Sequence, residues 1–283
     1  MSASILPFIF GSLIETQHFN FFAFLLGVCA VLFCHLSANL INDYADSKSG
    51  ADWQDRNFYG LFGGSKLIQE RVFSERFYLI LAIMCFSISA LSVGLLAIVL
   101  QQRTVILYYC CIMVLSWSYS MKPLRFSYRR MGEVVIFLLF GPALVMGGYY
   151  IQTGIFPDMK SFILSLPLGL FVTAILFANE VPDFSEDQKA GKLTLVSIVS
   201  AKRAFLLYLG FMAAAFIIIA VSFSLGYLNP LALLAFILIV PVWKAAQRIR
   251  IFFHDKQQLI ESSRLTIMIQ TVASLALILG VLF

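Results

Sequence analysis

The stretch "SANLINDYADSKSGAD", from Ser37 to Asp52, closes a long apolar segment with two asparagines and three aspartates. The residues immediately before it, "FNFFAFLLGVCAVLFC" (Phe19 to Cys34), carry no charge. Acidic groups at the C-terminal end of a helix oppose the helix dipole, so three of them together need a compensating cation. The stretch therefore predicts a cation site where this helix leaves an apolar environment.

The composition identifies that environment as a lipid bilayer. The chain has 283 residues, of which 60% are hydrophobic and only 12% are charged, whereas soluble domains carry about 25% charged residues. Runs of about 20 apolar residues span a bilayer, and none of the runs alternates in polarity as barrel strands do. We predict an all-α integral membrane protein, with residues 1–283 forming one domain of about nine transmembrane helices at 1–14, 19–41, 77–100, 104–118, 133–152, 161–180, 204–227, 229–243 and 264–283.

The basic residues predict the orientation of the bundle. With nine helices, all of the 20 Lys and Arg residues except Arg103 and Lys160 lie on one side of the membrane. Cytoplasmic loops carry such an excess of positive charge, so the loops after segments 2, 4, 6 and 8 are predicted to be cytoplasmic. The acidic motifs lie on the same side. We expect a multi-pass protein of the cell (inner) membrane with its Asp-rich loops, and any site they form, at the cytoplasmic side. The net charge of +5 then reflects membrane orientation and does not suggest a nucleic-acid partner.

The first acidic motif continues a polar stripe along one helix face, since residues three and four apart are neighbours on a helix. The stripe consists of His35, Asn39, Asn42 and Asp46. Asp43 is adjacent to it, and Gly50 allows the chain to turn so that Asp52 comes near. A solvated helix end capped by asparagine is the alternative interpretation. For His35 the sequence leaves open a buried polar contact or a place in the site.

The second acidic motif lies in "FANEVPDFSEDQKAGKLTL", from Phe177 to Leu195, where Asn179, Asp183 and Asp187 are spaced by four. Both motifs follow an even-numbered helix, so they can face one another across the bundle. Carboxylate oxygens, together with water and substrate phosphates, are the ligands that Mg²⁺ prefers. No His or Cys stands at ligand spacing beside the acids, which argues against zinc.

Basic residues in the same loops are candidates for binding a diphosphate. Lys66 follows a glycine pair in "FGGSKLI", Lys122 and Arg125 lie in "YSMKPLRFSYRR", and Lys192 lies in "GKLTL". The alternative is that each is an ordinary anchor at the inner leaflet of the membrane.

These motifs resemble those of the UbiA superfamily of intramembrane prenyltransferases, which have nine helices and two Asp-rich cytoplasmic motifs. The matching segments are "NDYAD" at 42–46 and "DFSED" at 183–187. The position of Asp52, six residues after Asp46, is similar to that in the branch that prenylates 1,4-dihydroxy-2-naphthoate in menaquinone biosynthesis. "GEVVIFLLFGPALVMGGYYIQTG" (Gly132 to Gly154) also resembles that branch, whereas Glu180 and Pro182 depart from it.

The resemblance implies transfer of a polyprenyl group from an allylic polyprenyl diphosphate to an aromatic acceptor, with loss of CO₂ from a naphthoate. It implies that Asp43, Asp46 and Asp52 hold one Mg²⁺ and that Asp183 and Asp187 hold a second and assist deprotonation of the acceptor. The implied substrate-binding residues are Asn39, Asn42, Lys66, Lys122, Arg125, Asn179 and Lys192. Phe140, Tyr149 and Tyr150 are candidates for stabilising the allylic cation through their ring faces, or are ordinary packing aromatics.

Two other functions are compatible with the sequence. The same chemistry could act on another acceptor, such as 4-hydroxybenzoate or chlorophyllide. A secondary transporter would also carry acids within the membrane, but transporters place their binding sites at the midplane. In this chain the acids gather at the cytoplasmic helix ends instead, which favours the transferase.

Overall fold

The computed structural model describes residues 1–17, 19–50, 53 and 57–282. This part of the chain is a bundle of nine helices, with three single-turn helices in the connections, Phe126–Tyr128, Val196–Val199 and Ala201–Arg203. In chain order the nine are α1 (Ser2–Leu13), α2 (Phe21–Ser49), α3 (Glu75–Leu100), α4 (Thr104–Ser120), α5 (Gly132–Thr153), α6 (Met159–Lys189), α7 (Ala204–Ser224), α8 (Pro230–Ile251) and α9 (Lys256–Leu282).

The all-α membrane architecture predicted from the sequence is confirmed. Seven of the nine helices are long and apolar enough to cross a membrane, and α1 and α4 are shorter apolar helices. Within the described ranges, the β-type pairing is limited to one isolated bridge between Arg129 and Leu193.

Four predicted segment boundaries were wrong, all at the end of the bundle that carries the acidic motifs. Helix α2 continues to Ser49 instead of ending near 41, and α6 continues to Lys189 instead of 180. Helix α8 continues to Ile251 instead of 243, and α9 begins at Lys256 instead of 264. The apolar pattern marks only the part of a helix that contacts lipid or core. Backbone hydrogen bonding continues through the polar turns, so the acidic motifs lie within helices.

Side-chain caps and glycines fix several helix ends. Asn20, Ser74 and Asp158 each accept a hydrogen bond from a first-turn backbone N–H, at the starts of α2, α3 and α6, as N-cap residues do. Gly50 ends α2 with a positive φ of 85°, a left-handed conformation that glycine adopts without strain. The chain can therefore turn sharply directly after the first acidic motif.

Close helix contact brings α5 against α6. A wider π turn, Leu139–Ala143, surrounds Pro142 within α5, and Gly141 in this turn meets Gly169 of α6. A Cβ atom on Gly141 would lie 2.9 Å from the Gly169 Cα atom, so only glycine permits this approach. Small residues at helix interfaces are typical of membrane proteins, where van der Waals packing drives helix association.

The outer surface of the bundle is apolar. Ile98 is 73% exposed and Ile237 is 70% exposed, which would be unusual as part of a continuous apolar surface in water. The interior contains large buried side chains such as Phe171, Phe177 and Tyr208. The outer surface and the interior of the bundle are thus both largely apolar. Charged residues cluster instead at the polar C-terminal ends of α2 and α6.

Candidate active site

A polar cavity of about 320 Å³ lies between the last turns of α2 and α6. The loop around Gly63 and the start of α9 close its other sides. Its charged and amide lining residues are Asn39, Asn42, Asp46, Lys66, Asn179, Glu180, Asp183, Glu186, Asp187, Lys192 and Lys256. The two acidic motifs thus face one another across a single cavity.

Lys192 connects the two motifs. Its Nζ atom lies 3.7 Å from Asp46 Oδ2 on α2 and 3.6 Å from Asp187 Oδ1 on α6. Burial lowers the pKa of Lys192, but the two carboxylates raise it more, so the pKa lies well above the ordinary lysine value. The ammonium group is therefore charged at neutral pH and balances two acids that would otherwise repel each other.

A short pairing between two loops positions Lys192 and Tyr128 beside Asp46. The backbone N–H of Arg130 donates to the Leu193 carbonyl at 2.7 Å, and the Leu193 N–H donates to the Tyr128 carbonyl at 3.4 Å. The Tyr128 hydroxyl donates to Asp46 Oδ1 at 2.8 Å. Burial and the nearby Asp46 raise the pKa of Tyr128, so this hydroxyl remains a hydrogen-bond donor.

Asp183 contacts the loop that follows α2. The backbone N–H of Gly63 donates to Asp183 Oδ2 at 2.8 Å, and Lys256 Nζ lies 3.7 Å from Asp183 Oδ1. Lys256 also lies 3.1 Å from Glu186 Oε2. Lys66, only 2% exposed, lies beside Gly63 and the Asp183 carboxylate. The loop therefore brings backbone donors and a lysine over the second acidic motif.

Three oxygen atoms of residues that line the polar cavity are buried without a protein partner in the described part of the chain. They are Asp187 Oδ2, Asn179 Oδ1 and Glu180 Oε2, all on α6. A buried acceptor without a donor is costly, and all three atoms are hard oxygens of the kind that bind Mg²⁺. The donor set therefore fits a divalent cation.

An apolar chamber of about 290 Å³ adjoins the polar cavity and extends into the bundle. Its walls come from α1 to α6, and its aromatic members are Phe8, Tyr108, Tyr109, Tyr119, Phe140 and Tyr150. Asn39, Asn42, Tyr119 and Leu176 line both spaces. These four residues define the junction of the polar cavity and the apolar chamber.

A pair of buried carboxyl groups stands at the edge of the polar cavity. Glu133 of α5 is 2% exposed and Glu180 of α6 is 5% exposed. Glu133 Oε1 accepts a hydrogen bond from the Leu195 backbone N–H at 2.8 Å. The Oε2 atoms of both carboxyl groups are buried without a hydrogen-bond partner among the described residues.

The structure places eight of the predicted site residues in the polar cavity and others elsewhere. The eight are Asn39, Asn42, Asp46, Lys66, Asn179, Asp183, Asp187 and Lys192. Asp43 is hydrogen-bonded to Ser65. Lys122 is exposed, and Arg125 stacks on the Tyr128 ring at 3.6 Å, so neither is brought to the cavity. Asp52 lies outside the described residues.

The carboxylates do not converge on one point in this conformation. Among the described residues, no three His, Cys, Asp or Glu side chains are close enough to hold a metal ion together. The Lys192 ammonium lies between Asp46 and Asp187 instead. Both acids nevertheless border the same cavity as the unpartnered oxygens of α6.

Several residues of the site were not found from the sequence. Lys256 at the start of α9 is brought in by tertiary packing, with no local motif around it, and Tyr119 at the junction is the first residue of the basic stretch "YSMKPLRFSYRR". Tyr128 lies in the basic stretch whose lysine and arginines drew the predictions, although its hydroxyl is the group that reaches Asp46. The glycine pair before Lys66 was the signal that correctly pointed to the loop around Gly63.

Residues 4–269 match the UbiA prenyltransferase family. The match covers nearly the whole chain. The chain belongs to the UbiA prenyltransferase family. This confirms the resemblance predicted from the paired aspartate motifs.

Among curated UbiA relatives, the 1,4-dihydroxy-2-naphthoate octaprenyltransferase of Bacillus subtilis is 25% identical over 258 residues. That alignment covers 90% of this chain and 80% of the relative. Other curated relatives are UbiA prenyltransferase domain-containing proteins, which are longer. The alignment with the Dictyostelium discoideum protein covers 54% of that protein, so this chain spans about half of its length.

Solved UbiA structures share the fold. The apo structure of a homologue from Aeropyrum pernix superposes with a TM-score of 0.73 at 16% identity and covers 95% of this chain and 94% of its own. A homologue from Archaeoglobus fulgidus, solved with DMAPP and Mg²⁺ bound, has a TM-score of 0.62 at 14% identity, with 98% and 95% coverage. These likenesses place the nine-helix bundle of this chain in the UbiA fold.

Proposed function

We propose that this protein transfers a polyprenyl group from an allylic polyprenyl diphosphate to an aromatic acceptor in a Mg²⁺-dependent reaction. The observation that carries the proposal is the junction of a charged cavity with an apolar chamber. A prenyl diphosphate has the same division, with a polyanionic head and a long hydrocarbon tail. The whole chain then acts as a single transmembrane domain.

Lysines of the polar cavity would bind the diphosphate. Lys66, Lys192 and Lys256 approach the cavity from three different chain segments, so they surround a ligand placed between α2 and α6. The Lys192 ammonium, already charged, can exchange a carboxylate partner for a phosphate oxygen. Three asparagines predicted to bind substrate also line the polar cavity and offer amide groups to the ligand, namely Asn39, Asn42 and Asn179. Lys122 and Arg125, which do not reach the cavity, are not included in this proposal.

The donor set described above fits Mg²⁺. Asp46 on one side, and Asp183 and Asp187 on the other, would hold it, with Asp43 and Asp52 as the remaining predicted ligands of the first motif. Bound Mg²⁺ supplies positive charge that neutralises the diphosphate as it departs. The archaeal homologue solved with DMAPP and Mg²⁺ supports this assignment.

The junction would hold the allylic carbon. When the C–O bond to the diphosphate breaks, this carbon becomes cationic and must be kept from water. Tyr119 lines both spaces and Phe140 lines the chamber beneath, and aromatic faces attract a cation. Tyr150 lies further along the chamber wall, whereas Tyr149 is not part of it.

We further propose that the acceptor is 1,4-dihydroxy-2-naphthoate, as in menaquinone biosynthesis. The ring carbon that bears the carboxylate attacks the allylic carbon, and a C–C bond forms as the C–O bond to the departing diphosphate breaks. CO₂ then leaves from the same ring carbon and returns its bonding electrons to the ring. Asp183 or Asp187 would take the proton of the acceptor hydroxyl during attack and return it as CO₂ leaves. The name of the Bacillus relative and the motif spacing around Asp52 support this acceptor. We also propose that the protein lies in the inner membrane of the cell, with its cationic loops facing the cytoplasm.

An acceptor comparison tests the proposal. Purified protein in lipid nanodiscs is incubated with Mg²⁺, an allylic polyprenyl diphosphate, and either 1,4-dihydroxy-2-naphthoate or 4-hydroxybenzoate, and products are identified by mass spectrometry. A prenylated, decarboxylated naphthoquinol that disappears with EDTA is expected. Product from 4-hydroxybenzoate alone would contradict the naphthoate assignment, and the absence of Mg²⁺-dependent diphosphate release with either acceptor would contradict the transferase itself.

A further inference from the structure

His35 is a polar residue of the apolar chamber to which the reaction described above gives no role. It lies on α2 four residues before Asn39, on the same helix face, and both side chains line the chamber. Asn39 belongs to the junction, so His35 lies about one helical turn, ~5.4 Å, further into the membrane. Its ring meets the Phe140 ring edge to face, with ring centres 5.3 Å apart.

The hydrogen bonds around His35 define which ring nitrogen carries the proton. His35 Nδ1 lies 2.7 Å from the Ser4 hydroxyl oxygen of α1. The single hydroxyl proton of Ser4 is donated to the Met1 carbonyl at 3.1 Å. With that proton directed to Met1, Ser4 accepts from His35 Nδ1. We assign the hydrogen of the neutral imidazole to Nδ1 on this basis, which makes Nε2 an acceptor.

Two tyrosine hydroxyls of the chamber lining, those of Tyr108 and Tyr150, are already bonded to protein groups, whereas the Tyr109 hydroxyl is buried without a partner within the described ranges. The Tyr108 hydroxyl donates to the Ala143 carbonyl at 2.8 Å, and the Tyr150 hydroxyl pairs with Thr104. Among the described residues, the bond to Ser4 is the one hydrogen bond in which His35 takes part. Its Nε2 acceptor is therefore available to a molecule in the chamber.

We propose that His35 Nε2 accepts a hydrogen bond from the ring hydroxyl of the aromatic acceptor and so orients its reactive carbon toward the junction. This inference rests on the proposed function and adds a residue that selects hydroxylated rings. The spacing fits, because His35 and Asn39 of the junction lie about one helical turn apart on α2, ~5.4 Å along the axis, a distance that an aromatic ring can bridge. Phe140 provides an aromatic wall against which the ring can stack. No bond is made or broken by His35.

Equilibrium binding of a ligand pair tests this role without turnover. Binding of 1-naphthol and of its methyl ether is measured by calorimetry on the protein in nanodiscs, with empty nanodiscs subtracted. The ether cannot donate a hydrogen bond but is otherwise similar in shape. Wild-type protein is expected to prefer the naphthol by about tenfold, the size of one hydrogen bond in an apolar site.

Three variants separate binding from packing. His35→Phe and His35→Asn are expected to bind naphthol and ether equally, because asparagine can keep the contact to Ser4 but has no atom at the Nε2 position. His35→Gln carries an oxygen near that position and is expected to retain part of the preference. Ser4→Ala is a control that removes the contact to α1 and keeps Nε2. It is expected to retain a preference for the naphthol above threefold.

The outcomes are distinct from those of the proposed function. An unchanged preference in His35→Phe, or no preference in the wild type, would overturn the assignment even if prenyl transfer proceeds. Conversely, a lost preference in His35→Phe and His35→Asn supports it even if the naphthoate is not the substrate. In the transfer assay, the same variants should raise KM for the hydroxylated acceptor about tenfold and leave KM for the prenyl diphosphate unchanged.

Discussion

At the scale of single residues, the site is dominated by the balance of charge around Lys192. One ammonium group holds two carboxylates from helices that are far apart in the sequence. Asp187 keeps one oxygen on this ion pair and presents its other oxygen, without a partner, to the same cavity. An acid with one fixed and one available oxygen is suited to take up a metal while remaining in place.

Replacing Asp187 with Asn removes the charge and keeps the shape of the side chain. We expect turnover to fall at least about 100-fold, since outer partners of a metal site alone cost 10–100-fold, while membrane insertion and the elution profile in detergent remain as in the wild type. Steady-state product formation with saturating Mg²⁺ measures the effect. Glu70→Gln, an exposed acid in the same group of loops, is the control, and equal activity in both variants would contradict the role of Asp187.

Lys192→Met tests whether the Lys192 ammonium group and Mg²⁺ interact with the same carboxylates. Without the ammonium, the carboxylates of Asp46 and Asp187 face each other unbalanced, and loss of one partner of a largely buried ion pair destabilises a protein. We expect a lower melting temperature in EDTA, and a larger rise on adding Mg²⁺ than in the wild type, because the metal replaces the missing positive charge.

Thermal unfolding with and without Mg²⁺ measures this difference. Lys122→Met, in which the exposed lysine is far from the cavity, should melt as the wild type under both conditions. A Lys192→Met variant whose response to Mg²⁺ equals that of the wild type would show that Lys192 and the metal do not share the same carboxylates.

At the scale of helices, the stripe along α2 and the spacing by four along α6 could be predicted from the sequence, because helical periodicity alone brings those residues onto one face. The same periodicity says nothing about loops. Lys122 was predicted in the site and lies exposed, whereas Lys256 was not predicted and reaches Asp183. A loop residue is positioned by tertiary contacts, such as the pairing of Arg130 with Leu193, which no local pattern reveals.

The contact between α5 and α6 gives a prediction at this scale. In Gly141→Ala the new Cβ would lie 2.9 Å from both Gly169 Cα and the Ser165 carbonyl, so the backbones must separate. Overpacking of this kind costs about 1–3 kcal/mol, and the displaced α6 carries the second acidic motif. We expect reduced unfolding stability together with reduced transfer activity.

Denaturant unfolding in detergent measures the loss of stability, with Gly94→Ala as the matched control. A Cβ on Gly94 of α3 meets no atom within 4 Å, and alanine favours helix over glycine, so this variant should be as stable as the wild type or more so. Equal unfolding midpoints for the two variants would contradict the close approach of α5 and α6.

At the scale of the whole molecule, the helix count and the orientation are linked. Nine membrane crossings by the described helices would return the chain to one side after α2, α4, α6 and α8, the connections that hold the acidic motifs and nearly all basic residues. The helix count and the orientation could be predicted from the sequence because hydropathy and charge bias are properties of the whole chain. The sequence did not reveal the division into a polar cavity and an apolar chamber, since cavities arise from packing between helices that are distant in sequence.

Cysteine labelling tests the proposed orientation. In a cysteine-free background, Glu15→Cys between α1 and α2 and Glu70→Cys between α2 and α3 both place an exposed thiol in a connecting loop. A membrane-impermeant maleimide added to intact cells should label Glu15→Cys, and it should label Glu70→Cys only after the cells are opened. The reverse pattern would contradict a cytoplasmic active site.

The most direct test of the account is an experimental structure of the protein with Mg²⁺ and an unreactive polyprenyl thiodiphosphate. We expect the diphosphate between the ends of α2 and α6, in contact with Lys192 and, through Mg²⁺, with Asp187. The prenyl chain should pass Tyr119 and enter the apolar chamber. A diphosphate bound outside the polar cavity, or a prenyl chain that leaves the chamber empty, would contradict the central claim that these two joined spaces perform prenyl transfer.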